Sequence, residues 1–209
     1  MKKYFLLIML AIAFLSCCHN KPTVIEDINM ERADEFSPIT PEEIAGNVIQ
    51  MISNEWMLIT VGNQEKYNTM TASWGMMGEL WGKPVTACFI RPQRFTYEFI
   101  ENSEYYTLCF FDSTYHQALE FCGTKSGRDY PDQNKAEAAG LTPAYTENGA
   151  VYFKESYLVI ECKKIYAQQF QKEFFVTDEI TNPDNRLYPT LDELHKAYIG
   201  EIVKVLYRK

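Results

Sequence analysis

The chain has 209 residues, 46% of them hydrophobic and 14% aromatic, with 20 Lys+Arg against 28 Asp+Glu and a formal net charge of -8. That length allows one domain with a real core. The acidic balance argues against a nucleic-acid surface and against a basic face for anionic lipid.

Met1-Lys2-Lys3 gives a positive start, residues 4–15 form an uninterrupted apolar run, and Ser16-Cys17-Cys18 leads into polar His19-Asn20-Lys21-Pro22. This pattern is a secretory signal, too short for a permanent bilayer anchor. Ser16 before Cys17 resembles the bacterial lipoprotein box, in which the cysteine is lipidated and becomes the new N-terminus. Ordinary cleavage leaving a free thiol is the alternative. The expected division is a signal peptide at 1–16, a tether at 17–39 and one domain at 40–209. The protein is then an exported lipoprotein, periplasmic or on the outer-membrane side, whose membrane contact is the lipid on Cys17. Two lysines leave with the signal, so the mature chain carries 18 Lys+Arg against 28 Asp+Glu.

Thr40-Pro41-Glu42-Glu43 opens a helix, with a capping hydroxyl, a proline at the first position and a glutamate three residues on. Ile44, Val48, Met51 and Ile52 then give that helix one apolar face. Residues 56–61 read as a strand turned at Gly62-Asn63. Residues 67–74 read as the next, with Met70 and Ala72 on one face and Thr69, Thr71 and Ser73 on the other. Residues 75–84 read as a glycine-rich loop on which Trp81 is a candidate lid, 84–90 as a buried strand, and 92–101 as a helix with Phe95, Phe99 and Ile100 inside. A strand at 105–111, a helix at 114–121 ended by Gly123, a polar loop at 125–133 and a short helix stopped at Gly140 follow. Strands at 150–153, 157–166 and 198–207 complete the chain. Short strands outnumber helices, βαβ alternation and a GxGxxG turn are lacking, and a closed or nearly closed antiparallel barrel with inserted helices fits better than a doubly wound sheet.

The segment from Asn68 to Ile100 carries the chemistry. A strand of small and hydroxyl side chains precedes a helix whose start holds Arg91, Pro92 and Arg94. Strand backbone and small side chains can approach a flat, polar-edged ring, while guanidinium groups and helix N–H groups hold a phosphate. The pattern suits flavin mononucleotide (FMN). Thr71, Ser73 and the backbone from Met70 to Trp74 would meet the pyrimidine edge of the ring; filling a strand is the alternative use of these threonines. Arg91, Arg94 and Thr96 would hold the phosphate, the alternative being a solvated basic patch. Trp74 either packs beside the ring or belongs to the core. Lys125, Ser126 and Arg128 form a second cationic group that completes the phosphate pocket, meets a nicotinamide phosphate, or stays solvated. Cys88, Cys109, Cys122 and Cys162 sit in apolar runs or at a helix end without CxxC spacing and read as buried free thiols. His116 and His195 lack partners at metal or triad spacing, and no GxSxG elbow supports hydrolysis.

Asn68-Thr69-Met70-Thr71-Ala72-Ser73-Trp74 resembles the flavin-contacting strand of the flavin reductase-like family, FMN-binding split barrels related to flavoredoxin. Arg91-Pro92-Gln93-Arg94-Phe95-Thr96 stands where that family binds the FMN phosphate, and Lys125-Ser126-Gly127-Arg128-Asp129, Leu158-Val159-Ile160-Glu161-Cys162 and Tyr198-Ile199-Gly200-Glu201-Ile202 resemble later family segments. The resemblance covers roughly residues 45 to 207. It implies a mainly β FMN-binding split barrel (an antiparallel Greek-key barrel), a homodimer with FMN near the interface, and an FMN-dependent oxidoreductase of flavin reductase or flavoredoxin-like electron-transfer type. The donor would be NAD(P)H or a protein. It also implies that the last strand returns His195 to the flavin side. A non-catalytic envelope lipoprotein binding flavin or haem is the competing expectation.

Overall fold

A computed structural model describes residues 36–182, 187–188 and 194–208. The expected signal peptide, Cys17 and most of the tether lie outside the described residues. Among the described residues ten strands are present: β1 (Phe36–Ile39), β2 (Met57–Gly62), β3 (Tyr67–Ala72), β4 (Gly75–Leu80), β5 (Lys83–Ile90), β6 (Tyr105–Phe110), β7 (Pro143–Tyr145), β8 (Val151–Phe153), β9 (Leu158–Gln169) and β10 (Lys196–Arg208). The helices are α1 (Val48–Gln50), α2 (Phe95–Asn102), α3 (His116–Thr124) and α4 (Lys135–Ala138). None is long and apolar enough to cross a membrane, among the described residues.

Every pairing is antiparallel, and the main sheet runs β3-β2-β6-β9-β10-β5-β4 with β1 also on β10. One apolar cluster joins Ile59 of β2, Leu108 of β6, Ile160 of β9, Ile202 of β10 and Cys88 of β5. Residues from strands so far apart in the order share a core only if the sheet rolls up. A Cβ on Gly75 of β4 would come within 2.9 Å of Met57 Cε on β2, which brings the two ends of the sheet together. β3 and β4, consecutive in the chain, are not bonded to each other, and the barrel is split between them. A second cluster, with Leu58, Cys109, Phe153 and Val159, packs α3, α4 and the β7–β8 hairpin on the outside. All four described cysteines are buried free thiols.

Several elements differ from the sequence reading. The stretch read as a loop at 75–84 is a hairpin. β4 pairs with β5 from Gly75↔Cys88 to Leu80↔Lys83, and Trp81 and Gly82 turn it with φ of 58° and 70°. Positive φ at both central residues suits the twist of a two-residue hairpin. Trp81 therefore stands at the hairpin tip, edge-on to Tyr166 at 6.2 Å, rather than over a ligand as a lid. The helix expected from Thr40 stops after one 3₁₀ turn, Pro41–Glu43, where the Glu43 carboxylate accepts the Thr40 N–H at 2.7 Å. Gly46 at φ 120° breaks the chain direction, and Asn47 caps α1, which runs into a π-helical turn at Met51–Glu55. Phe36–Ile39, assigned to the tether, is a strand because β10 offers it a free edge from Val205 to Arg208. Gly123 does not end α3, which continues to Thr124.

Candidate functional site

β3 is an end strand, so every second residue turns its N–H and C=O away from β2 toward open space. α3 packs against its outer face so closely that a Cβ on Gly123 would lie 3.1 Å from Thr71 Cβ. The Thr71 hydroxyl donates to the Leu119 carbonyl of that helix. Beyond β5, a turn closed by Arg94 N–H to Arg91 carbonyl at 3.0 Å sets both arginines at the start of α2. Met70, Thr71, Ala72, Ser73, Trp74, Phe89, Arg91, Arg94 and His195 then line one cleft of 230 Å³.

Its two guanidinium groups are held differently. Arg94 is exposed and donates to the Gly123 carbonyl at 3.3 Å. Arg91 is half-buried, donates to the Leu187 carbonyl at 2.7 Å and lies 5.3 Å from the Tyr188 ring centroid. His195, only 8% exposed, meets the Tyr188 hydroxyl at 2.7 Å through Nδ1 and the Trp74 ring at 5.0 Å. Burial, then the nearby Arg91 and Arg94 charges, push its pKa down to about 4. The imidazole is therefore neutral at pH 7. The unfolded chain binds this proton near pH 6.5 and the folded chain only near pH 4, so stability falls as pH drops through that window. The loss amounts to up to about 3 kcal/mol. Urea unfolding at pH 7 and pH 4.5 should show His195→Asn losing less stability on acidification than wild type.

The remaining site candidates lie elsewhere. Thr69 is buried, its hydroxyl 2.9 Å from that of Thr60 and donating to the Ile59 carbonyl. Thr96 is also buried, and its hydroxyl accepts from the Asn68 carboxamide at 2.7 Å, tying α2 to β3. Asn68 and Arg128 line a separate cavity of 530 Å³. Arg128 pairs with Glu98, stacks 4.8 Å from the Phe95 centroid and reaches the Gln93 carbonyl at 3.4 Å. The Ser126 hydroxyl accepts from the Arg128 N–H at 3.2 Å, and Lys125 is exposed. The second cationic loop thus braces the start of α2 and lines a different cavity from Arg91 and Arg94. Sequence reasoning missed Phe89 and Tyr188. It set His195 on the flavin side through the family resemblance, as the cleft does, but gave it no role, because a lone histidine carries no spacing signal and its neighbours come from distant segments.

The residues of the cleft match what FMN asks of a protein. The free edge of β3 and Ser73 offer donors and acceptors to a heteroaromatic rim, Trp74 offers a ring, and two guanidinium groups offer charge to a phosphate. The cleft shares Ser73, Trp74, Phe89 and His195 with a neighbouring groove of 670 Å³.

Comparison with known proteins agrees with this architecture. The family model described as "flavin reductase like domain" matches residues 50–209. No curated protein matches the chain. Among solved structures, an FMN-binding domain of a flavin reductases-like enzyme from Shewanella baltica is similar with a TM-score of 0.59 at 17% identity, covering 84% of this chain and 78% of that one. Flavoredoxin of Desulfovibrio vulgaris gives 0.54 at 20% identity, covering 79% and 75%. An FMN-binding protein from Thermus thermophilus with bound 1-cyclohex-2-enone gives 0.55 at 16% identity, covering 80% and 79%. The folds agree, and the family match spans most of the chain. With its split antiparallel barrel, the chain belongs to the flavin reductase-like domain family.

Proposed function

We propose that the protein is an FMN-binding oxidoreductase of flavin reductase or flavoredoxin type, holding the flavin in the cleft between β3 and the start of α2. The observation that carries this reading is the convergence of an unpaired strand edge and two arginines on one cleft. When bound, FMN supplies the electron transfer, and the protein supplies binding, orientation and electrostatics. The backbone from Met70 to Trp74 and the Ser73 hydroxyl bond the pyrimidine rim. Thr71, already donating to Leu119, serves only as an acceptor. Arg91 and Arg94 hold the phosphate, while Asn68 and Thr96 act behind the strand by fixing α2 against β3. The neutral His195, held by Tyr188, keeps Trp74 in place without adding a positive charge beside the ring. Electrons come from NAD(P)H or a reduced protein.

The similar structures named above include FMN-binding proteins and a flavoredoxin, which supports the choice of FMN. A homodimer belongs to the same reading, and sedimentation equilibrium of the purified protein tests it. The N-terminal pattern supports an exported lipoprotein anchored through Cys17, for which palmitate labelling lost in Cys17→Ala is the expected result. The purified protein, after incubation with FMN and removal of excess, should be yellow and bleach on reduction. A colourless protein that ignores added FMN, or one with a Soret-type band instead, contradicts the flavin reading.

A further inference from the structure

The 670 Å³ groove that adjoins the flavin cleft has a different chemistry from it. Val48, Ile49, Ile52, Met76, Met77 and Phe170 supply most of its apolar lining. Ile49 is 77% exposed, Met76 62% and Trp74 43%, so the apolar lining reaches the protein surface. No lysine or arginine is among the described residues that line it. Its polar groups are neutral: the hydroxyls of Ser53, Ser73 and Tyr188 and the imidazole of His195.

A nicotinamide dinucleotide laid here would set its phosphates against aliphatic side chains, with no lysine or arginine among the described lining residues to pair them, and burying charge in that way is expensive. An uncharged ring bearing carbonyl oxygens meets no such penalty. Its faces rest on thioether and aromatic groups, which adapt well to flat rings. Its oxygens accept from hydroxyls, or from His195 Nε2 when the Tyr188 phenol donates to Nδ1. Ser73, Trp74, Phe89 and His195 are common to groove and cleft, so a ligand in the first touches the wall of the second. We propose that this groove binds an uncharged, planar quinone-type ring, which would take two electrons and two protons from reduced FMN to leave as the hydroquinone while the flavin returns to its oxidised form. The redox meaning of that ligand rests on the flavin reading above, whereas its binding depends on the groove alone.

Equilibrium dialysis of the purified protein, with and without FMN, against menadione and against a naphthoquinone sulfonate of similar size tests the assignment. Menadione should bind at least about tenfold more tightly than the sulfonate, a difference of the size a single unpaired charge produces. Met76→Glu should remove that preference while leaving FMN affinity within about twofold, because Met76 lines the groove and not the cleft. Equal affinity for the two rings overturns the proposal, as does menadione binding unchanged in Met76→Glu. Wild-type protein that takes no menadione and sediments as a dimer, which Met76→Glu dissociates, also overturns it, since a second copy then fills the groove. Menadione binding that survives in protein unable to take up FMN supports the groove and removes only the flavin reading.

Discussion

Gly200→Ala should cost about 2–4 kcal/mol of stability and lower the melting temperature by about 5–15 °C. Gly200 sits in β10, the strand that pairs with β9, β5 and β1 and so holds the barrel together. A Cβ there would stand 2.4 Å from the Tyr106 hydroxyl and 2.8 Å from Cys162 Cβ. Neither neighbour can give way cheaply. Tyr106 is fully buried with its hydroxyl 3.0 Å from that of Thr86, and Thr86 in turn lies 3.1 Å from Cys162 Sγ. The pairing of β10 with β9 also shifts register between Ile199 and Gly200, so the strand is already irregular at this point. Thermal unfolding of Gly200→Ala and of Gly200→Ala with Tyr106→Phe checks the cause. The double variant should recover about 1 kcal/mol, because it deletes the atom in closest conflict. If the two melt alike, the phenol is not what the glycine accommodates.

Arg94→Ala should weaken FMN binding by about 10- to 150-fold, the worth of one charge-assisted contact of ~1.5–3 kcal/mol. Its guanidinium is exposed and makes one long bond to Gly123, so folding stability should change by no more than ~0.5 kcal/mol. Arg91→Ala should weaken FMN binding and also lower stability, since that side chain bonds Leu187 and stacks near Tyr188 in the fold. Arg94→Lys should fall between wild type and alanine, keeping charge but losing the two-pronged geometry. Fluorescence titration of FMN against each variant, paired with urea unfolding, separates these effects.

Much of this architecture was readable from local pattern. The strands at 57–62, 105–110 and 158–169 alternate or run apolar as core strands do, and the cluster that joins them is the barrel interior. β4 was not readable, because Gly75-Met76-Met77-Gly78 lacks strand propensity and forms only through its ladder to β5. β1 contains Pro38, which a strand tolerates at a sheet edge such as this one. In the site, Thr71, Ser73, Arg91 and Arg94 lie close in sequence and in space. Thr69 lies on the same face of β3 as Thr71 but is buried against Thr60, and Thr96, in α2, is buried against Asn68, so residue type and strand parity alone do not tell which threonine stays open. Arg128 illustrates the other difficulty. Its charge suggested an anion site, yet Glu98 one helix away takes it up, and no local signal announces such a pair. His195, Tyr188 and Phe89 meet only because β10 returns beside β5 in the register Lys196↔Ile90.

A crystal structure of the protein grown with excess FMN tests the central claim most directly. The isoalloxazine should lie along the backbone of Met70–Trp74 beside the Trp74 ring, with its phosphate within hydrogen-bond reach of Arg91 and Arg94. A cleft containing solvent alone at saturating FMN, or a phosphate seated instead at Lys125 and Arg128, would contradict it.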